Sequence, residues 1–354
     1  MTAYIIRRLL QLPITVFGVT VLIFAMTMVL SPVERSALYV RDFPHTEGAL
    51  DAIIRRYGLD DPFHVQYWRW LAGRVDPETG KTVGGVLRGD LGFSRTGRQP
   101  VMDYILHRLP ASVELALWSV VPIIGVGIWL GIIAAINHNR FIDQAARVFG
   151  IIGWSFPTFV FALLVLMIFY AKLRWFPPGR LSDWATWVVR SPEFHRYTQL
   201  NTIDALLNGR WDIFWDALRH MILPIVTLCY IQWAMLLRLT RSSMLEALRQ
   251  DYMTTARAKG LSERRVINRH ALPNALIPVV TVGGITVVNL VNGVVITETI
   301  FNLPGMGSAV AAAAQTLDVL TVLGFVLLSS VLFIVANLLI DVLYAFLDPR
   351  IRLG

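Results

Sequence analysis

Long apolar runs alternate with polar stretches along this chain. The runs cover residues 9–30, 111–136, 148–170, 221–237, 275–297 and 320–346. A helix needs about 20 predominantly apolar residues to cross a bilayer, so the pattern predicts six spans. Arg7 and Arg8 precede the first run, as charge precedes the core of a signal peptide. That core is too long, and no small-x-small cleavage site follows in MTMVLSP, so it reads as an uncleaved first span. Residues 31–110 carry 11 basic and 10 acidic residues. They read as an aqueous folded insertion, with helical spacing at 51–57 and 63–71. The remaining polar stretches are 137–147, 172–219, 238–274, 298–319 and the tail 347–354. No repeat, inverted symmetry or low-complexity tract stands out.

Composition agrees with a membrane bundle. Hydrophobic residues make up 55% of the 354 and charged residues 16%, against about 25% charged in soluble domains. The formal net charge is +8. In a membrane chain this reads as orienting basic loops, not as a nucleic-acid surface. With six spans both termini share one side. Loops on that side hold 14 Lys/Arg, whereas 298–319 holds none. The positive-inside rule therefore places both termini in the cytoplasm. The seven basic residues of 172–219 cut against this assignment.

The basic stretch 238–274 carries the most local information. Ser243 and Glu246 form a capping box that predicts a helix start. Leu245, Leu248, Tyr252 and Ala256 make one apolar stripe. Arg257 and Lys259 suit the last turn of that helix, and Gly260 suits a left-handed terminus. Ser262 can cap a second short helix, which Pro273 would close. The pattern is helix, glycine turn, helix. It fits an interfacial helix held by anionic lipid, or a knob that docks into another protein.

This segment resembles the "EAA" loop of ABC-importer permeases. Thr254, Thr255 and Ala256 occupy the E-A-A positions, and Gly260 precedes Pro273 by thirteen residues. Thr254 departs from the general Glu, but TARAKGL is similar to the form of the dipeptide/oligopeptide/nickel branch. Other segments fit that branch in order. They are RRLL near the start, GDLGFS from Gly89, LPASVELAL from Leu109, SFPTF from Ser155, HMILP from His220, RLTRSSMLE from Arg238, ETIFNLPGMG from Glu298 and DPRIR from Asp348. The match is to the first of two permease subunits. Residues 181–215 match no recognised pattern.

The resemblance implies an all-α membrane protein, a six-span helical bundle of the type I importer permease kind. Its parts would be residues 1–30, an extracytoplasmic insertion at 31–110, a five-span core at 111–346 with a cytoplasmic coupling loop at 238–274, and a cytoplasmic tail at 347–354. It implies a homologous second permease subunit, two ABC ATPase subunits that hold ATP and Mg, and an extracytoplasmic solute-binding protein, all at the cytoplasmic membrane. The coupling residues would be Thr254, Thr255, Ala256, Arg257, Ala258, Lys259, Gly260, Leu272 and Pro273. Rigid-body alternating access would carry di- or oligopeptides inward. Nickel chelates, glutathione and oligosaccharides are the alternatives within the family. A secondary transporter, or a membrane-anchored sensor, would be a different class.

The chain itself has no GxxxxGK[ST], HExxH, GxSxG or paired-cysteine motif, so no cofactor, metal or catalysis is expected of it. Its single Cys229 reads as an apolar packer. Glu114 and Asp341 sit near span ends and read as interfacial, either solvated or paired. Asp60 and Asp61 read as loop solvation. Thr286, Asn289 and Asn292, followed by Thr297 and Glu298, give the fifth run a polar side. That side suits interhelical hydrogen bonds or the lining of a solute path. By resemblance, the apolar and turn-forming Phe301, Leu303, Pro304, Gly305, Met306 and Gly307 form an outer gate.

Overall fold

The computed structural model describes the backbone of residues 2–36, 47–75 and 80–347, and within them the side chains of 10–36, 48, 50–75 and 80–338. Arg7, Arg8, Asp341 and the DPRIR segment carry expectations that lie outside the described side chains. Among the described residues, five helices are long and apolar enough to cross a membrane, or six if one bent pair counts as a span. Two units divide the chain. One comprises Met1–Leu109 and Ser308–Leu338, and the other comprises Pro110–Gly307 and Leu339–Gly354.

In the first unit the helix Thr2–Thr27 holds Phe24 against Phe63, Tyr67 and Trp70 of the insertion. Thr20 Oγ1 lies 2.9 Å from the Tyr67 hydroxyl. The insertion folds into helices Glu47–Tyr57 and Phe63–Ala72, near the expected spacing, and two small antiparallel hairpins. Arg35 is buried, and its Nη1 and Nη2 donate to Gln66 Oε1 and the Leu59 carbonyl. Asp318 accepts from Ser94 Oγ at 3.1 Å, Thr96 N at 2.9 Å and Thr321 Oγ1 at 2.7 Å. Burial alone would raise this carboxyl, but the donors outweigh burial and hold it below 3.8. A lowered folded pKa adds stability above the unfolded value, and that stability is lost as pH falls through the folded value. Melting in detergent between neutral pH and pH below about 4 should show an acid-side loss that Asp318→Asn reduces. An identical pH slope in the variant would remove Asp318 from that loss.

The second unit is built around the helix Trp211–Leu248. At 1.5 Å per residue its 38 residues reach about 57 Å, well beyond a hydrocarbon layer of about 30 Å. It packs against helices Phe141–Ser155, Thr158–Val165, Asn201–Leu207 and Leu272–Val291. Small residues permit these crossings. A Cβ on Gly127 would sit 2.8 Å from Leu236 Cβ, and one on Gly153 would sit 2.7 Å from Ala234 Cβ. The core beneath holds Leu115, Ile123, Leu223 and Leu236, and the buried Cys229 packs there as an apolar side chain.

Four local expectations are corrected. The third run is not one straight helix: Phe141–Ser155 and Thr158–Lys172 meet at 101°. Pro157 pushes Phe156 out of the helical region, to φ −93° and ψ 120°. The capping box at Ser243 starts no helix, because Trp211–Leu248 runs through it with Met244 and Ala247 buried. The break falls at Gln250 instead, whose ψ of 149° is extended. Pro273 closes no helix. It stands in the first turn of Leu272–Val291, where its missing N–H costs nothing. The fifth run ends at Val291, and after Gly293 at φ +96° a separate short helix spans Val295–Ile300.

Candidate functional site

The 249–274 segment folds as helix Asp251–Ala258, a turn at Gly260, helix Glu263–Val266 and a π turn Ile267–Ala271 that leads into Leu272–Val291. Gly260 has φ +74°, the left-handed value that its position after the helix predicts. Ser262 stands at the N-cap but makes no side-chain capping bond. Arg257 reaches across the turn to Glu263 at 2.9 Å. That carboxylate raises the Arg257 pKa above its ordinary value. Met253 and Ala256, three apart, face inward and join a core of Ala135, Met244, Ala247, Val266, Ile267 and Ala271. Leu272 packs on the edge of that core. Thr254, Thr255, Arg257, Ala258, Lys259, Gly260 and Pro273 are exposed. Small Ala256 therefore serves close packing within this chain, while the neighbouring face is left open.

The polar side expected on the fifth run is not one face. Thr286 is buried and donates to the Val282 carbonyl of its own helix at 2.9 Å. Asn289 is exposed, and Asn292 is half-buried at the helix C-cap. Thr297 and Glu298 belong to the next short helix, because the break at Gly293 redirects the chain.

Glu298 is 1% exposed. Its Oε1 accepts from Ser112 Oγ at 2.7 Å and from Val294 N at 3.3 Å. The Ser112 hydroxyl in turn accepts from Met306 N at 2.8 Å. Carboxylate, hydroxyl and backbone amide thus clasp the 298–307 loop to the second apolar helix. Gly305 and Gly307 lie against this carboxylate, and a Cβ on Gly305 would fall 2.5 Å from Glu298 Oε1. Phe301, Leu303 and Met306 are buried, and Phe301 and Leu303 join the core of Leu115 and Ile123. Pro304 lies between them and is exposed.

Two ion pairs have partners that the sequence reading did not name, although it left Glu114 either solvated or paired. Asp143 is fully buried and takes Arg241 Nη2 at 2.8 Å and Asn139 N at 2.9 Å, which ties Phe141–Ser155 to the central helix. Glu114 is buried rather than solvated. It accepts from Arg180 Nη2 at 2.6 Å and from Thr202 N at 2.6 Å. Partners 98 and 66 positions apart leave no local signal. The second pair fastens the unmatched 181–215 stretch as a cap, aided by Ser182 on Asp216 and Trp118 on Thr202. Arg180→Ala would strand a buried carboxylate, at a cost of about 3–5 kcal/mol. The expected result is a lower melting temperature in detergent and new protease cuts within 181–210. An unchanged protease pattern would show that the cap is held otherwise.

Comparison with known proteins follows the same architecture. Residues 1–116 match the family described as "Binding-prot-dependent transport system membrane comp, N-term". The probable D,D-dipeptide transport system permease protein DdpB of Escherichia coli strain K12 is 38% identical over 350 residues, covering 98% of this chain and 97% of that protein. The di/tripeptide transport system permease protein DppB of Pseudomonas aeruginosa strain UCBPP-PA14 is 39% identical over 357 residues, 99% of each chain. The oligopeptide transport system permease protein AppB of Bacillus subtilis strain 168 is 36% identical over 355 residues, 99% of this chain and 100% of that one. With residues 127–353 matching the family described as "Binding-protein-dependent transport system inner membrane component", this multi-spanning chain belongs to that family.

Proposed function

We propose that the chain is one of two membrane subunits of an ATP-driven importer of di- and oligopeptides. The observation that carries this reading is full-length similarity to peptide permeases combined with an exposed, glycine-turned helix pair braced on its own core. Both termini and the 238–274 loop lie in the cytoplasm, and 31–110 lies outside. Thr254, Thr255, Arg257, Ala258 and Lys259 seat in a separate ATPase subunit that holds ATP and Mg, with Ala256, Gly260, Leu272 and Pro273 fixing the element's shape. Closure of two such ATPase subunits moves this element, and a homologous second permease subunit completes the path. A solute-binding protein delivers peptide at the outer face. Asn289 and Asn292 contribute polar groups to the path at the interface with the second subunit. Thr286 and Glu298 serve its architecture, and Phe301 to Gly307 form the outer closure.

The test is uptake. The chain is purified with its co-purifying subunits, placed in proteoliposomes and given binding protein and labelled di- or tripeptide. ATP-dependent accumulation supports the reading. Accumulation of glutathione alone would reassign the ligand, and uptake driven by a proton gradient without ATP would overturn the class.

A further inference from the structure

The insertion after the first span contains two adjoining cavities. The larger, of about 980 Å³, lies between the end of helix Glu47–Tyr57, helix Phe63–Ala72 and the strand Arg74–Val75. It falls within the roughly 300–1,000 Å³ of small-ligand sites. The smaller, of about 260 Å³, is bordered by Trp70, Asp90, Leu91 and Leu320. Tyr57, Arg69 and Arg74 line both. The partition between them is thin. Gly73 borders the larger and Gly85 the smaller, and a Cβ on Gly85 would lie 2.5 Å from Gly73 N.

The two chambers differ in chemistry. Arg55, Arg56, Arg69 and Arg74 line the larger with Asp60 and Asp61, which leaves two positive charges in excess. Two of these guanidiniums are held in place. Arg69 is paired with Asp61. Arg74 lies 4.2 Å from the centre of the Tyr57 ring, and its Nη1 donates to the Arg56 carbonyl at 3.2 Å. A guanidinium fixed in this way offers its remaining N–H groups as a fork that matches a carboxylate. Excess charge of one sign in a cleft also draws in counter-ions. The smaller chamber offers apolar wall instead, from Leu91, Leu320 and Trp70, whose ring is braced on Phe24 at 5.4 Å. Its carboxylate is Asp90, whose Oδ1 takes Gly92 N at 2.9 Å and whose Oδ2 is left for a ligand donor.

We infer that the insertion binds a short peptide with free ends. The peptide's C-terminal carboxylate lies among Arg55, Arg69 and Arg74, its amine lies at Asp90, and an apolar side chain rests on Trp70. An inorganic anion uses the first chamber alone and an uncharged apolar solute the second. A zwitterion with an apolar side chain uses both, across the wall that Tyr57, Arg69 and Arg74 share. The inference rests on the reading of this chain as a peptide-importer subunit, and adds a receiving site apart from the path through the spans.

The test uses the full chain with its co-purifying subunits in detergent, without ATP or binding protein. The probe is alanyl-benzoylphenylalanine, a dipeptide whose side chain cross-links on irradiation. Adducts mapped by mass spectrometry should fall on Trp70, Leu91 or Leu320. Arg74→Gln should cut their yield about tenfold at sub-saturating probe. Arg55→Gln should cut it severalfold, and its exposed position puts no fold at stake. Lys81→Gln removes a charge from the same insertion, lines neither cavity and should change nothing. Excess alanyl-phenylalanine should compete, whereas its C-terminal amide and inorganic phosphate should not. A wild-type chain without adducts in the insertion overturns the inference. Full competition by phosphate also overturns it, as does an unchanged yield in both arginine variants. Uptake of labelled alanyl-phenylalanine is measured separately in proteoliposomes with ATP and binding protein. Adducts without uptake would sink the importer reading and leave the site, and uptake without adducts would do the reverse.

Discussion

Gly260→Val is expected to abolish ATP-driven uptake, Gly260→Ala to reduce it, and Gly260→Asn to retain most of it. Space does not set this order. A Cβ at Gly260 would meet nothing within 4 Å in this chain. The backbone sets it, because φ is +74° and an L-residue held in the left-handed region costs about 1–2 kcal/mol. Asn visits that region readily and β-branched Val does not. Escape from the strain would re-aim helix Glu263–Val266 relative to Asp251–Ala258 and break the Arg257–Glu263 pair that spans the turn. That exposed pair adds little stability, so the folded chain should persist while the element loses its shape. Gly260→Glu adds charge to the same exposed surface and should uncouple even where the turn survives. Uptake and ATP hydrolysis are measured side by side in proteoliposomes. Continued hydrolysis without uptake is the expected signature for Val and Glu. Normal uptake by Gly260→Val would show that force does not enter through this turn.

Gly293→Ala is expected to be the most damaging methyl group in the 292–307 region. Gly293 has φ +96°, and a Cβ there would lie 2.6 Å from Gly307 N and 3.1 Å from Gly307 Cα. Both neighbours are backbone and cannot rotate away. Backbone strain and overpacking together cost about 2–5 kcal/mol, a large share of a total that is typically 5–15 kcal/mol. Relief by shifting Gly307 would drag Met306 N from Ser112 and unseat the Glu298 clasp. Gly179→Ala is the control, with φ +91° and no atom within 4 Å of its Cβ. It carries the strain without the clash. Thermal denaturation in detergent should show a much larger fall for Gly293→Ala than for Gly179→Ala. Equal falls would mean that the two glycine backbones are not in true contact.

The buried Glu298 changes how the 298–307 loop is understood. A carboxylate bound by Ser112 and the Val294 amide is satisfied where it lies, with glycines packed around it. The apolar Phe301 and Leu303 are buried, and the core receives them. Their chemistry was legible. The partner that receives Glu298 was not, since Ser112 lies 186 positions away.

What the sequence determined by itself depends on neighbours along the chain. Apolar run length set which segments can cross a membrane, glycine after a helix set the left-handed turn at 260, and ordered short motifs set the family. The tertiary structure decided the rest. Ser243 with Glu246 is a sound cap in isolation, but burial of Met244 and Ala247 carried the helix past it. Pro273 is a sound stop in isolation, but the π turn before it made it a start. Thr286, Asn289 and Asn292 are all polar, yet one satisfies itself inside the core, one faces out and one ends the helix. Local preferences amount to about 1 kcal/mol per residue, whereas stranding a buried charge or emptying a packed core costs several. Where the two disagree, long-range burial and pairing prevail, and those depend on residues that meet only after folding.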